Sequence, residues 1–371
     1  MINIRLQKML FVLMMLFFII FPAWSWAGTL MRPYLQAPGQ DSIYVLVESD
    51  SRTIPAMVEY GKTPAYGLTA SAEIVDDTTL PSYIHKIRIS GLLPATKYHY
   101  RVIYGTTAGE DITFKTGAGP DKAFRFAFMA DCHANIRVHG DIDVLMKEKQ
   151  PDFLIYGGDI CSSGDYNSFK NEFFIQPELD LISRVPFFLS PGNHEGWGKN
   201  TRAFTKQPDS GSGTADYYSF DRGAAHFLVL NTEVDFSAAS PQYKFAQSDL
   251  AATGKKWKIA VFHKPAYANG GDWWGLPDPM RELAEKVLSP AGVQLVLAGH
   301  MHYYQHNYSN GTHHLVVSSA GGYQENPVDD IYTIKGDKGY HYAVVDVDSL
   351  SLCVRVYNGA GTLVDTVSPL P

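Results

Sequence analysis

The segment Val293–His306, VQLVLAGHMHYYQH, places an uninterrupted apolar run directly before a glycine and a group of histidines. A continuous apolar run of this length, ended here by Gly299, is typical of a strand buried on both faces of a sheet. Beyond the strand, side chains two positions apart in extended chain point to the same side, which brings His300 next to His302. Such a pair can bind one metal or serve two neighbouring metals, but a polar surface loop has the same sequence. The segment therefore predicts a buried strand and leaves the role of its histidines open.

Length and composition limit the classes of protein that fit. The chain has 371 residues, enough for one small and one larger domain, and a formal net charge of -7 at pH 7. It lacks the basic footprint that nucleic acid as a general partner would require. With three cysteines, at most one internal disulfide can form. Packed thiols are the preferred prediction for Cys132 and Cys161, with a disulfide between them as the alternative. The oligomeric state is left open.

The N-terminus has the pattern of an export signal. Two basic residues precede an apolar core that breaks at Pro22, and Ser25 and Ala27 are small residues at the positions that a signal peptidase reads. We therefore expect a signal peptide over 1–27, cleavage before Gly28, and export to the periplasm or the extracellular space. An uncleaved anchor is the alternative, although the apolar core is short for a membrane span. After cleavage, we expect no stable membrane span.

Two sequence textures divide the mature chain. Residues 28–118 contain short alternating runs such as SIYVLVES and KYHYRVIY, separated by turn residues, which predicts an all-β sandwich. Within it, SGLLPATKYHYRV resembles the corner of a fibronectin type III module. Residues 119–371 follow a linker, GAGPDK, and alternate apolar strands with amphipathic helices, predicted near 141–149 and 168–183 among others. This texture predicts an α/β layered (αββα) domain. Strand-like runs without helices follow from Thr312, so a second sheet is expected.

Polar clusters follow five of the apolar strands of the second domain. Ligands of α/β sheets collect outside the carboxyl ends of the strands, and each cluster lies at such an end. The clusters are Asp131-Cys132-His133, Gly158-Asp159, Gly192-Asn193-His194-Glu195, His263 and Gly299-His300-Met301-His302. Because all five are built from Asp, Asn and His, they favour a shared metal site over a chance arrangement.

The order of these clusters resembles the signature of the calcineurin-like metallophosphoesterases. The preceding sandwich, which begins RPYLQ at Arg32, resembles the N-terminal domain of the purple acid phosphatases. The resemblance implies an enzyme with two metal ions per chain, either Fe, Zn or Mn. It implies that Asp131, His133 and His302 hold the first metal, that Asn193, His263 and His300 hold the second, and that Asp159 bridges both.

The same resemblance implies the reaction. A hydroxide that bridges the metals would attack the phosphorus of a small-molecule phosphate ester, and His194 would protonate the leaving group. Phosphomonoesters are the first expectation, and phosphodiesters are the alternative, because the same metal core serves both. The rival from another class is a non-catalytic surface-binding protein with structural metals. The unused His194 argues against that rival, since a structural site needs no acid.

The chain departs from the purple acid phosphatases at positions that lie in the metal centre of those enzymes. Ser162 stands where those enzymes have the tyrosine that binds ferric iron, and Tyr166 is too far along the chain to replace it. His133 stands where they have glycine. We therefore expect the wider metallophosphoesterase type of centre, in which His133 takes the place of the tyrosine.

Four further residues are candidates near the site. Glu195 is expected to orient a ligand or His194 by a hydrogen bond and is also a candidate for substrate contact. Trp273 lies in a glycine-rich loop after His263, where it could form an apolar lip or pack elsewhere. His306 is a candidate for substrate contact from the loop beyond the metals. His139 is predicted to open a helix as a cap, a solvent-facing residue or a phosphate contact.

Overall fold

The computed structural model describes residues 29–117, 119, 122–210, 212–270 and 278–368, with backbone alone at 278–279. The predicted signal peptide over 1–27 and the candidate Trp273 lie outside these residues. Within the described ranges, no helix combines the length and the apolar composition that crossing a membrane requires. The cysteines are free thiols, as preferred from the sequence, with Cys132 and Cys161 both buried.

The first eight strands fall within residues 28–118. They are β1 Tyr34–Gln36, β2 Ser42–Ser49, β3 Ala56–Gly61, β4 Leu68–Asp77, β5 Tyr83–Ser90, β6 Lys97–Tyr104, β7 Thr107–Ala108 and β8 Ile112–Lys115. Strand β4 pairs with β5 on one side and with β3 on the other, so that two antiparallel sheets share it. Alternate residues of β2, β5 and β6, such as Val45, Ile87 and Tyr100, form the apolar core between the sheets. This is the predicted β-sandwich.

The remaining strands and the helices form the second domain. Its strands are β9 Phe124–Met129, β10 Phe153–Tyr156, β11 Phe187–Leu189, β12 Tyr218–Arg222, β13 Ala225–Val229, β14 Trp257–Phe262, β15 Leu295–Ala298, β16 Tyr304–Ser309, β17 Thr312–Val317, β18 Thr333–Asp337, β19 His341–Val347, β20 Leu352–Asn358 and β21 Leu363–Val367. Its α-helices are α1 Ile136–Glu148, α2 Tyr166–Ser168, α3 Gln176–Ile182, α4 Lys199–Phe204, α5 Pro241–Ala252 and α6 Asp278–Leu283. Two π-helical segments, Phe169–Phe173 and Ala284–Leu288, directly follow α2 and α6.

Two sheets face each other in this domain. One has the order β21-β20-β19-β9-β10-β11, and the other has the order β12-β13-β14-β15-β17-β16-β18. Residues from both sheets, including Phe126, Phe227 and Leu297, form the core between them. Helices α1 and α3 cover the outer face of the first sheet, while α5 and α6 cover the second. The αββα layering confirms the predicted fold class.

The structure differs from the predicted elements in three places. Strands β19–β21 return to the first sheet, where β19 pairs antiparallel with β9, instead of extending the second sheet. Helix α1 begins at Ile136, earlier than predicted, because the Asn135 side chain accepts the backbone N–H of Val138. The predicted helix over 168–183 is interrupted before α3, whose first turn contains Pro177, a residue that favours a helix start over a helix interior.

The sandwich and the layered domain share a strand. Strand β1 pairs antiparallel with β2 of the sandwich and parallel with β11 of the layered domain, through Gln36 and Phe187. Buried hydroxyls also cross the contact, since Tyr34 donates to the carbonyl of Phe204 and Tyr100 donates to that of Ser183, each at 2.8 Å. A single hydrogen-bonded sheet therefore runs from one domain into the other.

Candidate metal centre

The site lies where parallel strands of both sheets end. Strands β9, β10 and β11 are parallel neighbours in the first sheet, and β13, β14, β15 and β17 are parallel neighbours in the second. Each predicted polar cluster follows the carboxyl end of one of these strands. The two facing sheets therefore bring side chains from residues 131 to 302 to a single edge of the core.

Three of the candidate ligands have a backbone conformation that residues other than glycine rarely adopt. The φ angles of Asp131, Asp159 and His300 are 58°, 52° and 69°, in the left-handed region. Non-glycine residues in this region carry strain, and such residues cluster at functional sites because surrounding structure holds them in place. The backbone turn at each strand end thus determines the direction in which the ligand side chain points.

Two glycines allow the loops to approach the carboxylates closely. A Cβ atom on Gly192 would lie 2.2 Å from Oδ1 of Asp159, and one on Gly299 would lie 2.7 Å from Oδ2 of Asp131. Both separations are shorter than contact between non-bonded atoms permits. The glycine before each ligand loop is therefore required by sterics, and any side chain there would displace a carboxylate of the site.

The candidate ligands form two overlapping groups. The ligand atoms of Asp131, His133 and His302 lie within 4.8 Å of one another, and so do those of Asp159, His263 and His300. Asn193 completes the second group, since its Oδ1 lies 3.2 Å from Nε2 of His263. Asp159 joins the groups, because it also lies within 4.8 Å of His133 and His194.

Hydrogen bonds fix the imidazoles with Nε2 toward the centre. Nδ1 of His263 lies 2.8 Å from the carbonyl of Gly157, and Nδ1 of His302 lies 2.8 Å from that of Tyr323. A carbonyl only accepts, so Nδ1 carries a proton in each ring, and Nε2 is the nitrogen that would bind a metal once it has lost its own proton, the usual arrangement of a metal-binding histidine. Among the described residues, the buried atoms Oδ1 of Asp131 and Nε2 of His133 have no hydrogen-bond partner. Hydrogen-bond acceptors that converge with no donor between them are the arrangement that a bound metal ion would satisfy.

The electrostatics of the cluster agree with this fit. Burial alone would lower the pKa of His263, but the charge of Asp159 and its hydrogen bond raise it to about 10. Burial and the positive charge of His263 lower the pKa of His300 to about 3. Burial opposes ionisation of Asp131, yet the neighbouring His302 and the positive charge of His263 lower the pKa of its carboxyl. A metal bound among these groups competes with the proton on His263, so binding depends on pH.

His194 lies at the rim of the cluster, with 38% of its side chain exposed. Its Nδ1 donates to the carbonyl of Ser162 at 3.0 Å, and its backbone N–H donates to Oδ1 of Asp159 at 2.8 Å. Its ring stacks on that of His133, with centroids 4.5 Å apart. Nε2 therefore faces the centre at its solvent side, 3.7 Å from Oδ2 of Asp159.

Glu195 contacts the backbone of the ligand loops. It is buried, and its Oε1 accepts the backbone N–H of Gly192 at 2.7 Å and of Asp159 at 3.2 Å. Burial, and then the negative charge of Asp159, raise the pKa of its carboxyl to about 8. The buried side chain ties two loops together through these bonds, and direct contact of Glu195 with substrate stays a prediction.

The loop after Asp159 contains no tyrosine directed at the site. Ser162 donates from its backbone N–H and its hydroxyl to Glu172, at 2.7 and 2.6 Å. The hydroxyl of Tyr166 donates to Oε1 of Glu48 in the sandwich at 2.7 Å. Both residues are thus engaged elsewhere.

Two other candidates are placed away from the site. His306 lies in strand β16 and not in the expected loop, and its contact with substrate stays a prediction. It is buried, and its Nε2 is 2.8 Å from Nδ1 of His313, on the same sheet face in the neighbouring β17. His139 lies inside α1 and is fully buried, so it is neither a cap, nor solvent-facing, nor at the rim.

One polar contact of the centre was missed by sequence reasoning. The hydroxyl of Ser318 donates to Oδ2 of Asp131. Ser318 follows β17, which is parallel to β15, so it reaches the same edge as the other clusters. The segment SSAGG after an apolar run carried this signal, but a serine is a weaker sign of a metal centre than a histidine.

Comparison with known proteins agrees with the fold. The sequence profile of the calcineurin-like phosphoesterases matches residues 124–304, and that of the purple acid phosphatase N-terminal domain matches residues 31–116. Purple acid phosphatase 23 of Arabidopsis thaliana is 29% identical over 305 residues, which cover 71% of this chain and 64% of that relative. The chain thus spans less than two thirds of that relative's length.

Solved structures share the architecture. The purple acid phosphatase PPD1 from yellow lupin (Lupinus luteus) seeds superposes with a TM-score of 0.81 and 19% identity, covering 91% of this chain and 73% of that one. The structure of PhoD gives a TM-score of 0.68 and 14% identity, covering 92% of each chain. The chain thus combines a calcineurin-like metallophosphoesterase domain with an N-terminal domain of the purple acid phosphatase type, and it is similar to purple acid phosphatases in sequence and in fold.

Proposed function

We propose that the chain is an exported, metal-dependent phosphatase that hydrolyses small phosphomonoesters. The observation that carries the proposal is the convergence of seven side chains from five strand ends on one edge, with a histidine at the exposed rim. The seven are Asp131, His133, Asp159, Asn193, His263, His300 and His302. Three relatives, named purple acid phosphatases 21, 22 and 23 of Arabidopsis thaliana, support a phosphatase, for which monoesters are the first expectation.

The residues fit two metal ions. Asp131, His133 and His302 would hold one, Asn193, His263 and His300 would hold the other, and Asp159 would bridge them. When bound, the metals would supply activated water and would withdraw charge from the phosphoryl oxygens. Neutral imidazole and amide ligands leave such a centre electrophilic, which suits an anionic substrate on a chain of net negative charge.

The chain's own residues hold the bridging carboxylate in place and supply the proton for the leaving group. Glu195 holds the backbone at Asp159 and Gly192, which keeps the bridging carboxylate in place. His194 has its Nδ1 proton committed to Ser162, so only Nε2 is available to transfer a proton to a leaving oxygen at the rim. The rival hypothesis of a non-catalytic protein with structural metals gives the exposed His194 no task.

The test is Asp159→Asn, compared with the control Asp141→Asn on the exposed side of α1. We expect Asp159→Asn to lose metal and phosphatase activity together, and the control to keep both, in assays with monoesters and diesters after metal reconstitution. Activity that survives exhaustive chelation of the wild-type protein would contradict the metal mechanism. Faster turnover of diesters than of monoesters would replace the proposed substrate class.

Export is a separate part of the proposal. It rests on the basic, apolar and small-residue pattern of residues 1–27. Sequencing of the mature protein from its native host should find an N-terminus at or near Gly28. Recovery of intact Met1 in a membrane fraction would support the uncleaved anchor instead.

A further inference from the structure

A second cluster of metal-ligating side chains lies inside the layered domain, away from the rim. The ligand atoms of His139, Asp143 and Glu178 lie within 4.8 Å of one another, and all three side chains are fully buried. His139 and Asp143 are one turn apart on α1, and Glu178 lies in the first turn of α3. Two carboxylates enclosed this way are costly unless a positive partner accompanies them.

The tautomer of His139 sharpens the problem. Its Nδ1 lies 3.2 Å from the carbonyl of Glu172, which can only accept, so Nδ1 carries the proton. Nε2 faces Oε2 of Glu178 at 3.1 Å and Oδ1 of Asp143 at 3.5 Å. In the neutral ring Nε2 is a lone pair, and three acceptors then converge on one buried point; in the cationic ring Nε2 carries a second proton, which it donates to Glu178.

Donors for these acceptors are scarce among the described residues. The hydroxyl of Tyr156 donates to Oε1 of Glu178 at 2.5 Å. Neither carboxylate oxygen of Asp143 has a hydrogen-bond partner, although both are inaccessible to solvent. Buried polar atoms without partners are rare in folded proteins, and an absent ion is one of the standard explanations.

We propose that His139, Asp143 and Glu178 form a separate, structural metal site for a divalent ion such as Zn²⁺ or Mn²⁺. One imidazole nitrogen and two carboxylate oxygens are a donor set that these ions accept. Ligands around tetrahedral zinc are spaced about 3.3 Å apart, as its bond lengths of about 2.0–2.2 Å require. The observed separations of 3.1 and 3.5 Å bracket that spacing.

The position of the cluster suggests what the ion would do. The hydroxyl of Tyr156 at the end of β10, three residues before Asp159, donates to Oε1 of Glu178, so the cluster lies close to the loop that carries Asp159. An ion here would fix α1 to α3 beside that loop. It would thus support the candidate metal centre without contacting substrate.

A proton is the alternative to a metal ion in this buried cluster. Burial, together with the charge of Glu178, raises the pKa of Asp143, so a carboxyl proton shared between these residues would also relieve the repulsion. Metal content distinguishes the two occupants. Full-length wild type, Asp143→Asn, Glu178→Gln and the exposed control Asp141→Asn are each equilibrated with Zn²⁺ alone, dialysed, and measured by mass spectrometry for zinc per folded chain.

We expect wild type and Asp141→Asn to retain about one ion per chain more than Asp143→Asn and Glu178→Gln, because each of the latter loses a charged ligand. Since those variants can fail to fold, a crystal structure of zinc-loaded wild type is the second measurement. An anomalous peak within bonding distance of Nε2 of His139 supports the site. Equal zinc content in all folded variants, or a map without that peak, overturns it in favour of the proton. Peaks beside Asp131 and Asp159 are read separately, so failure of the proposed function leaves this result intact.

Discussion

The hydroxyl of Tyr166 donates to Glu48 across the contact between the two domains, 2.7 Å from Oε1. The same carboxylate, fully buried, also accepts from Lys170. Burial raises the pKa of Tyr166, and its hydrogen bond to Glu48 and the charge of Glu48 raise it further, so the phenol stays protonated. A tyrosine held this way cannot act as a phenolate ligand at the candidate centre.

The protein is therefore expected to be colourless in the visible range even when loaded with ferric iron. Colour of the tyrosinate type needs a phenolate bound to iron, and Ser162 occupies the position from which the purple enzymes supply it. Absorption spectra of the iron-loaded wild type and of Tyr166→Phe should coincide above the ultraviolet. A strong visible band that disappears in Tyr166→Phe would show that the loop is placed wrongly.

His194→Ala should retain its metal and lose rate in a way that depends on the leaving group. A positioned general acid contributes about 10²- to 10⁴-fold, and only where the leaving oxygen needs a proton. We expect a steep loss on alkyl phosphates and a much smaller loss on nitrophenyl phosphate, measured as kcat on both. His99→Ala, a sandwich histidine, is the control and should match wild type. Equal losses on both substrates at unchanged metal content would make His194 a phosphate-binding residue.

His226 should contribute stability that depends on pH. It lies 2.8 Å from Asp221 and 2.7 Å from Asp249, on the face of the second sheet beside α5. Burial alone would lower its pKa, but hydrogen bonds to Asp249 and Asp221 raise it above its ordinary value. Because the folded-state pKa is raised, the stabilisation is fully present below the unfolded pKa of about 6.5 and is lost as pH rises through the folded value.

His226→Gln should accordingly be less stable than wild type by about 1–2 kcal/mol near pH 6, with the difference shrinking toward pH 9. The lower part of the usual range applies because Asp221 is half-exposed and water screens that bond. Urea unfolding at several pH values measures the difference. Asp249→Asn should reproduce the same pH dependence, and a difference that is constant with pH would contradict the charged pair.

The strand ends explain why so much of the site was readable in the sequence. Asp131 and His263 follow an apolar run directly, and Asp159 follows one after two glycines. Parallel strands bring such positions together whatever the length of chain between them. His139 was misread because its environment comes from Glu178, on another helix, and local pattern carries no information about that contact. His306 was expected in a loop, but strand β16 already begins at Tyr304, so that residue 306 lies within a paired strand.

The shared strand β1 limits where the two domains can be separated and recombined, in evolution or by design. It lies at the start of the sandwich, yet it covers the edge of the catalytic sheet at β11. An exchange of modules at the linker, between residues 117 and 122, would remove that cover and leave an unpaired edge open to other chains. Chimeras of this protein should therefore carry the segment Tyr34–Gln36 together with the layered domain, and recombination that separates them should yield aggregating products.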